Sequence, residues 1–459
     1  MKKIILFSLL CLFLSACATT PIINPLELPN VEFEKEDRIL ILAPHPDDEV
    51  LGCAGVIQNA ALNNLPLKVV FFTYGDNNEW SFMAYKMHPV IIPQAVRNMA
   101  LVRYDEAVNA DSVLGLEKEN LIFLGYPDFK TLNIWNSHWA SRPPARGMLT
   151  NSKAVPYKNA FRYGAPYKGE EILKDLEAII RDFKPTKIFV SHSADHNVDH
   201  RALYLFTRVA LWNLKKEINP KVYPYLVHFK DWPKPLGYHP KKTLSPPYFF
   251  KDLISWRIYR LDDAKISKKY RALKANKSQM KLDAKFLNAF ARVNELFGDF
   301  AEIVLKPNDG ILIYKESENR DFINKRSILA SKQRAGFVGI QEKYIRLKDD
   351  NIEFTFKFSR PLARGAEICL RTFGYSFSRP FEAMPKLQVR IGPAKYGVYD
   401  QHHKISSKNI IVERHLFQIV VKIPLKVLGY PDKILTTSQS YLTRIPQDWY
   451  MWQIIDITE

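Results

Sequence analysis

Apolar positions follow two different rhythms along the chain. Between residues 39 and 228, short runs of consecutive apolar residues recur: Ile39 to Ala43, Leu67 to Tyr74, Leu121 to Leu124, Lys187 to Val190 and Tyr223 to His228. A run without polar alternation suits a strand covered on both faces, so these runs predict a parallel sheet. The stretches between them, Val50 to Asn63, Val90 to Gly115, Glu170 to Phe183 and Asp199 to Leu214, have helical spacing and predict the covering helices. The expected fold is α/β, a Rossmann-like, mostly parallel sheet flanked by helices.

From Asn351 the period drops to two. Ile352, Phe354, Phe356 and Phe358 alternate with polar residues, as do Leu387, Val389 and Ile391, and Phe417, Ile419, Val421 and Ile423. Alternation interrupted by turn residues predicts a C-terminal all-β sandwich domain. Pro424 to Ile455, with Gly429, Asp432, Trp449 and Trp452, resembles the end of family-9 carbohydrate-binding sandwiches, although core packing suits those tryptophans better than a sugar platform. The division that follows is a catalytic unit over residues 37–300 and a linker with sandwich over 301–459, where residues 301–348 are mixed in character.

Asp128 to Gly169 has no clear period and is rich in Trp, Tyr, Arg and Pro, including Trp135, Trp139, Tyr157, Phe161 and Tyr163. A stretch this long without periodicity reads as a substrate-binding insertion or lid, or as packing over the sheet edge.

The first residues stand apart from the fold. Met1-Lys2-Lys3 precedes an apolar segment, Ile4 to Phe13, and Leu14-Ser15-Ala16-Cys17 resembles a bacterial lipobox. The expectation is a signal peptide over residues 1–16, a lipidated Cys17, a tether over 17–36 and an exported, membrane-anchored lipoprotein in the periplasm or at the cell surface, at the outer membrane in a Gram-negative envelope. Of four cysteines, Cys11 leaves with the signal and Cys17 takes lipid, so Cys53 and Cys369 remain as two buried thiols rather than a disulfide.

Composition changes the picture little. With 459 residues and 47% hydrophobic residues, the chain can bury more than one core. The formal net charge of +18 favours anionic partners, but export and the absence of a Lys/Arg run with interleaved aromatics argue against nucleic acid. The oligomeric state is not written in the sequence.

Chemistry concentrates at two strand ends. Directly after Ile39 to Ala43 comes Pro44-His45-Pro46-Asp47-Asp48-Glu49. In a parallel sheet, ligands bind outside the carboxyl ends of the strands. His45 and Asp48, close together in a tight turn, suit one zinc ion, which leaves Asp47 beside it as a base. Helix capping would account for one of the carboxylates but not for all of them. After Lys187 to Val190 comes Ser191-His192-Ser193-Ala194-Asp195-His196-Asn197-Val198-Asp199-His200. His200, opening a helix, is the expected third ligand, and Asp199 the group that orients imidazoles from behind. Cys53, five residues past Asp48 on an apolar helix, is better explained by packing than by ligation.

The stretch PHPDDEVLGCAG resembles the signature of the PIG-L/LmbE-like de-N-acetylases, zinc-dependent enzymes that act on N-acetylglucosamine-type amides. Arg103, Glu106, Ala110, Leu114 and Gly115 are similar to the family's R-x-x-E, Ala, Leu-Gly pattern, and Gly125-Tyr126-Pro127-Asp128 to its L-G-x-P-D. The resemblance implies that Arg103 reaches the substrate pocket and that Asp128 contacts a sugar hydroxyl. Arg103 and Glu106 also suit a plain surface pair on a helix. The family's D-x-H-P-D-H is matched by Asp195, Asp199 and His200, with Asn197 in place of the His credited with holding the oxyanion, so Asn197 or His196 takes that part. His228 resembles a pocket-side residue of the family, although core packing suits it equally. Residues from Ala272 to Phe297 look like the family's closing helix.

The implied function is removal of acetyl groups from N-acetylated amino sugars of an envelope or extracellular glycan, with one zinc ion per catalytic domain. The alternative is a lipid-anchored glycan-binding protein whose deacetylase domain is weak or inactive through the change at Asn197.

Overall fold

The computed structural model describes residues 24–77, 92–250, 253–315 and 339–457, apart from 359, 363, 443–444 and 447–450. The signal, Cys17 and Trp449 lie outside the described residues. Among the described residues, no helix is long and apolar enough to cross a membrane.

The strand nearest the first motif, β1 (Ile39–Ala43), sits inside a seven-stranded sheet. From β1 the chain runs through α1 (Asp48–Asn63) to β2 (Leu67–Phe71), then through α2 (Pro93–Leu114) to β3 (Leu121–Phe123). It next forms α3 (Thr131–Ser137) and α4 (Gly169–Phe183), and crosses to β4 (Lys187–Ser191) on the opposite side of β1. Beyond β4 come α5 (Val198–Asn213), β5 (Lys221–Tyr225), β6 (Ile254–Arg260), α6 (Asp263–Ala275), α7 (Lys277–Asn288) and β7 (Asn294–Phe300). The spatial order is β3-β2-β1-β4-β5-β7-β6. Ile39 pairs in parallel with Leu67 on one flank and Lys187 on the other. The direction of strand addition therefore reverses between β1 and β4, and that switch opens a crevice at their carboxyl ends.

One expectation is corrected here. Asn294 to Phe297 does not continue a closing helix but forms β7, antiparallel to β6 and β5. The closing helix ends with α7, and β7 buries its polar residues through distant partners: Asn294 exchanges hydrogen bonds with the backbone of Leu244, and Glu295 pairs with Lys269 at 2.8 Å.

Of the two readings for residues 128–169, packing over the sheet edge describes most of the segment: Trp135, Trp139 and Tyr167 are fully buried, and Tyr157 nearly so. Phe161 and Tyr163 alone of the aromatics named above stay exposed.

The C-terminal region holds two further sheets. Its strands are β8 (Ile303–Val304), β9 (Gly310–Lys315), β10 (Ile340–Lys348), β11 (Asn351–Phe358), β12 (Ala366–Tyr375), β13 (Lys386–Ile391), β14 (Tyr396–Asp400), β15 (His403–Ile405), β16 (Ile411–His415), β17 (Gln418–Pro424), β18 (Lys433–Leu442), β19 (Ile445–Pro446) and β20 (Gln453–Asp456). One sheet runs β16-β17-β11-β10-β9 and the other β15-β14-β13-β12-β18-β20-β8, with β19 on β18. The alternating residues Phe354, Phe356, Val421, Ile368, Leu370 and Val389, drawn from both sheets, share one apolar cluster. The odd residues of β12, Phe373 and Tyr375, point the other way and join Leu435 and Trp452 against Trp135, Trp139 and Phe206 of the α/β unit. Trp452 thus packs in the core, as expected. Cys53 and Cys369 are free and buried.

Candidate metal centre

The turn after β1 is built by its own side chains. Asp48, the first residue of α1, accepts the backbone N–H of His45 at 3.0 Å, so the turn curls back on its carboxylate. Asp47 holds φ at 116°, a conformation that costs a non-glycine residue on the order of 1–3 kcal/mol and that recurs at functional sites. Its amide donates to Glu49 Oε2 at 2.9 Å, which fixes the strained residue in place.

Beside it, β4 leads into the Asn197 cap of α5. Asn197 Oδ1 accepts the N–H of Asp199 at 2.8 Å, and His200 follows in the first turn. Neighbouring strands lie about 4.8 Å apart, which brings the two turns into contact.

His45 Nδ1 lies 3.1 Å from Asp48 Oδ2, and His200 Nε2 lies 3.0 Å from the same oxygen. These three groups offer ligand atoms within 4.8 Å of one another, all buried. Neither ring nitrogen of His200 has an aligned hydrogen-bond partner, and Asp48 Oδ1 has none. Buried polar atoms left in this state are costly unless something else satisfies them. Two imidazoles and a carboxylate are a donor set for zinc, and their spacing is that of ligands about 2 Å from a common ion. The residues fit the metal.

The groups behind the ligands differ from expectation in one respect. Asp199 does orient an imidazole, that of His45, whose Nε2 lies 3.2 Å from Asp199 Oδ2 and 3.1 Å from Asp128 Oδ1. The partner of His200 is instead Asp195, at 3.1 Å from Nδ1. Asp195 also accepts the amides of Val227 and His228, at 3.0 and 2.9 Å, and so ties β4 to the segment after β5. Its signal in the sequence was its place in the motif, five residues before His200. His45, Asp128 and Asp199 also lie close enough to hold an ion. Asp199, however, already accepts from the amides of Phe129 and Thr131 and from the Thr131 hydroxyl, and Asp128 accepts from the Asn77 amide.

Charge in this cluster is strongly coupled to burial. Burial alone would lower the pKa of His45 and His200, but the facing carboxylates outweigh it: His45 is raised well above the usual range and His200 to about 9. For Asp48, burial is overcome by His200 and His45, which hold it well below the usual carboxylate value. Asp47 moves the other way. Burial raises it to about 7, against the pull of Arg103 and with a push from Asp48. A carboxyl poised near neutrality beside a metal centre is suited to general base work.

A cavity of about 320 Å³ opens over these groups, lined by His45, Asp47, Arg103, Asp128, Asn197 and His228 among others. Arg103 is buried. Its Nη1 donates to Gly75 O at 3.1 Å and its Nη2 to Pro46 O at 2.6 Å, with Asp47 Oδ2 at 3.6 Å. Gly75 is required there, because a Cβ at that position would lie 1.7 Å from the guanidinium. The surface pair with Glu106 does not form, since Glu106 accepts from Ser278 at the start of α7.

Of the two alternatives for the oxyanion, Asn197 stands on the cavity wall, with its Oδ1 engaged as a cap and its Nδ2 left to donate. His196 does not line this cavity; its ring lies 5.3 Å from that of Phe229. His228, which the sequence left between pocket and core, lines the cavity, with its ring 4.9 Å from that of His200. Gln279, Leu282, Asp283 and Phe286 of α7 complete the opposite wall; the resemblance to the family's closing helix took in Gln279 and Phe286, but no signal singled out Leu282 or Asp283. Cys53 packs in the core and takes no part.

The family described as PIG-L: GlcNAc-PI de-N-acetylase matches residues 40–211, a span that holds both turns. No curated protein matches the chain. Among solved structures, N,N'-diacetylchitobiose deacetylase from Pyrococcus horikoshii is 18% identical, covering 57% of this chain and 74% of its own, with a TM-score of 0.32. A deacetylase of teicoplanin biosynthesis is 17% identical, covering 53% and 86%, with a TM-score of 0.35. The 4-carboxy-2-hydroxymuconate hydratase from Pseudomonas putida KT2440 is 15% identical, covering 58% and 98%, also at 0.35.

Proposed function

We propose that this protein is a zinc-dependent de-N-acetylase that releases acetate from N-acetylated amino sugars of an envelope or extracellular glycan. The observation that carries the reading is the convergence of His45, Asp48 and His200 beside Asp47, with ring nitrogens of His200 and an oxygen of Asp48 left without aligned partners. The match of residues 40–211 to the PIG-L family supports the same chemistry and the amino-sugar class.

His45, Asp48 and His200 would hold the ion, with Asp195 fixing one imidazole and Asp128 and Asp199 the other. When bound, the ion supplies Lewis acidity and acidifies water toward neutral pH. Asp47 takes a proton from water as the oxygen attacks the acetamide carbonyl. Asn197 Nδ2 donates to the oxygen that gains charge, in place of an imidazole. The C–N bond then breaks as Asp47 returns the proton to the departing nitrogen, which gives acetate and a free amine. Arg103, buried against Asp47, holds the base in place and lines the substrate cavity. Asp128, on the same wall, is the candidate contact for a sugar hydroxyl.

In this reading Cys17 carries lipid and tethers the exported protein to a membrane, and the two C-terminal sheets form a sandwich around their shared apolar cluster. A second reading, an anchored glycan-binding protein with little or no hydrolysis, is favoured by one observation, the amide at Asn197 where the family carries an imidazole.

Acetate release from N-acetylglucosamine oligomers by zinc-loaded protein tests both readings. Asp47→Asn tolerates the same backbone and is expected to retain zinc while losing activity by about 10²–10⁴-fold. Zinc bound with no acetate from the unaltered protein would leave the second reading standing.

A further inference from the structure

Next to the metal cavity lies a second hollow that the mechanism does not use. His228 lines the first; Phe229, the next residue, begins the lining of the second, a groove of about 380 Å³ that also takes in Trp232, Tyr248 and Phe249. A row of rings joins the two. His228 stacks on Phe286 at 5.6 Å, Phe286 meets Phe290 at 5.3 Å, and Phe290 meets Trp232 at 5.6 Å.

The groove has a firm floor and an open rim. The Trp232 indole N–H donates to Ser245 O at 2.8 Å, and Trp232 is 9% exposed. Tyr248 on the rim is 72% exposed, the highest value among the large hydrophobic residues of the described chain. Pro233, Pro246 and Pro247 stiffen both walls, so little conformational freedom remains to be lost on binding. A volume of this size lies within the range of small-ligand sites. Pyranose rings present a face of C–H bonds that packs on aromatic rings, while their hydroxyls need polar neighbours, which Lys230 and Lys234 supply at the groove edge.

We propose that this groove binds a further sugar unit of the chain whose amino sugar is deacetylated, so that the protein acts on a glycan chain rather than on a lone amino sugar. The occupant follows from the row of rings that leads from the wall of the catalytic cavity to the groove, by way of buried Phe290, and from the groove's aromatic and lysine lining. The inference rests on the deacetylase reading above and specifies the substrate class of that site.

The test is calorimetric titration of zinc-loaded, full-length Asp47→Asn protein, which turns the probe over at least about a hundredfold more slowly, with N-acetylglucosamine and with its β-1,4-linked tetramer. The tetramer is expected to bind about tenfold more tightly than the monomer, a difference of the size one aromatic contact supplies. Adding Tyr248→Ala, a change at an exposed position, is expected to remove that difference and leave monomer affinity and melting temperature unchanged. Equal binding of both probes, or a preference for the tetramer that survives Tyr248→Ala, overturns the groove assignment while the deacetylase reading stands. Failure of both probes to bind, together with no acetate release by the unaltered protein, overturns the two together.

Discussion

The α/β unit and the strand-rich C-terminal region bury charge in opposite ways. At the strand ends of the first, His45, Asp47, Asp48, Asp76, Asp128, Asp195, Asp199 and His200 are each 8% exposed or less, and several share one small volume. In the second, the buried cations stand apart from one another: Lys433 pairs with Asp456, Lys386 with backbone carbonyls, and Lys343 lies 5.8 Å from the centre of the Phe354 ring. Burying carboxylates and imidazoles together without a fully matched set of hydrogen bonds costs stability, and a fold retains such a cost where chemistry needs it. The contrast assigns reaction to one region and support to the other.

Support is more than proximity. Trp135 of α3 packs on Phe381 at 5.2 Å, on Phe373 at 5.9 Å and on Trp452 at 6.1 Å, all from the C-terminal region. The other end of the same short helix, Thr131, bonds Asp199, which faces His45. Removal of residues 301–459 would expose this aromatic face, and each large ring so uncovered forfeits roughly 1.5–3 kcal/mol. The truncated protein is expected to aggregate, with its soluble fraction deprived of activity, as size-exclusion chromatography and acetate assay would report. A soluble, fully active α/β unit would break the link between the regions.

The converse change touches chemistry alone. Asp48→Asn removes the oxygen that faces both His45 and His200 and relieves a buried carboxylate. Metal content by mass spectrometry is expected to fall away and activity to drop about a thousandfold or more, while the C-terminal region keeps its fold. Retention of one ion per chain would displace the metal centre from this site.

Between these lies the packing that holds α1 over the sheet. A Cβ on Gly52 would sit 2.4 Å from the Tyr225 ring, whose hydroxyl bonds Leu42 O at 3.0 Å on β1. Gly52→Ala is expected to cost about 1–3 kcal/mol in chemical denaturation, because the ring has to move within a filled core. An unchanged midpoint would show that α1 has room to shift.

How much of this was legible follows from where each signal resides. The turns at His45 and His200 were readable because each is a polar burst at the end of an apolar run, and parallel pairing of β1 with β4 then brings them together. The alternation from Asn351 marked the second region for the same reason, since its period is local. Asn294 to Phe300 escaped because its buried polar residues are satisfied by Leu244 and Lys269, far away in sequence. Trp135 and Trp139 left the choice between a substrate-binding insertion and sheet-edge packing open, because nothing nearby in the chain shows that Phe373, Phe381 and Trp452 cover them. Asp195 stood in the motif, but only the folded geometry shows that it, and not Asp199, faces His200.

A change in the pH dependence of stability tests the seam between the regions directly. Lys386 is 1% exposed, its Nζ donating to Phe381 O and Met384 O at 2.5 and 2.8 Å and lying 3.8 Å from the centre of the Phe381 ring. Burial lowers its pKa to about 7, against an upward pull from Asp400. The unfolded chain holds this proton more tightly than the folded one, so unfolding takes up a proton between about pH 7 and the ordinary lysine value. Stability therefore rises with pH through that window and is insensitive to this group below it. The full span is on the order of 5 kcal/mol, of which only part is sampled by pH 9. Lys386→Met is expected to flatten the rise in melting temperature between about pH 7 and 9, read by scanning calorimetry. A slope that persists in the variant would place the titrating group elsewhere, and the seam would then be held by its rings alone.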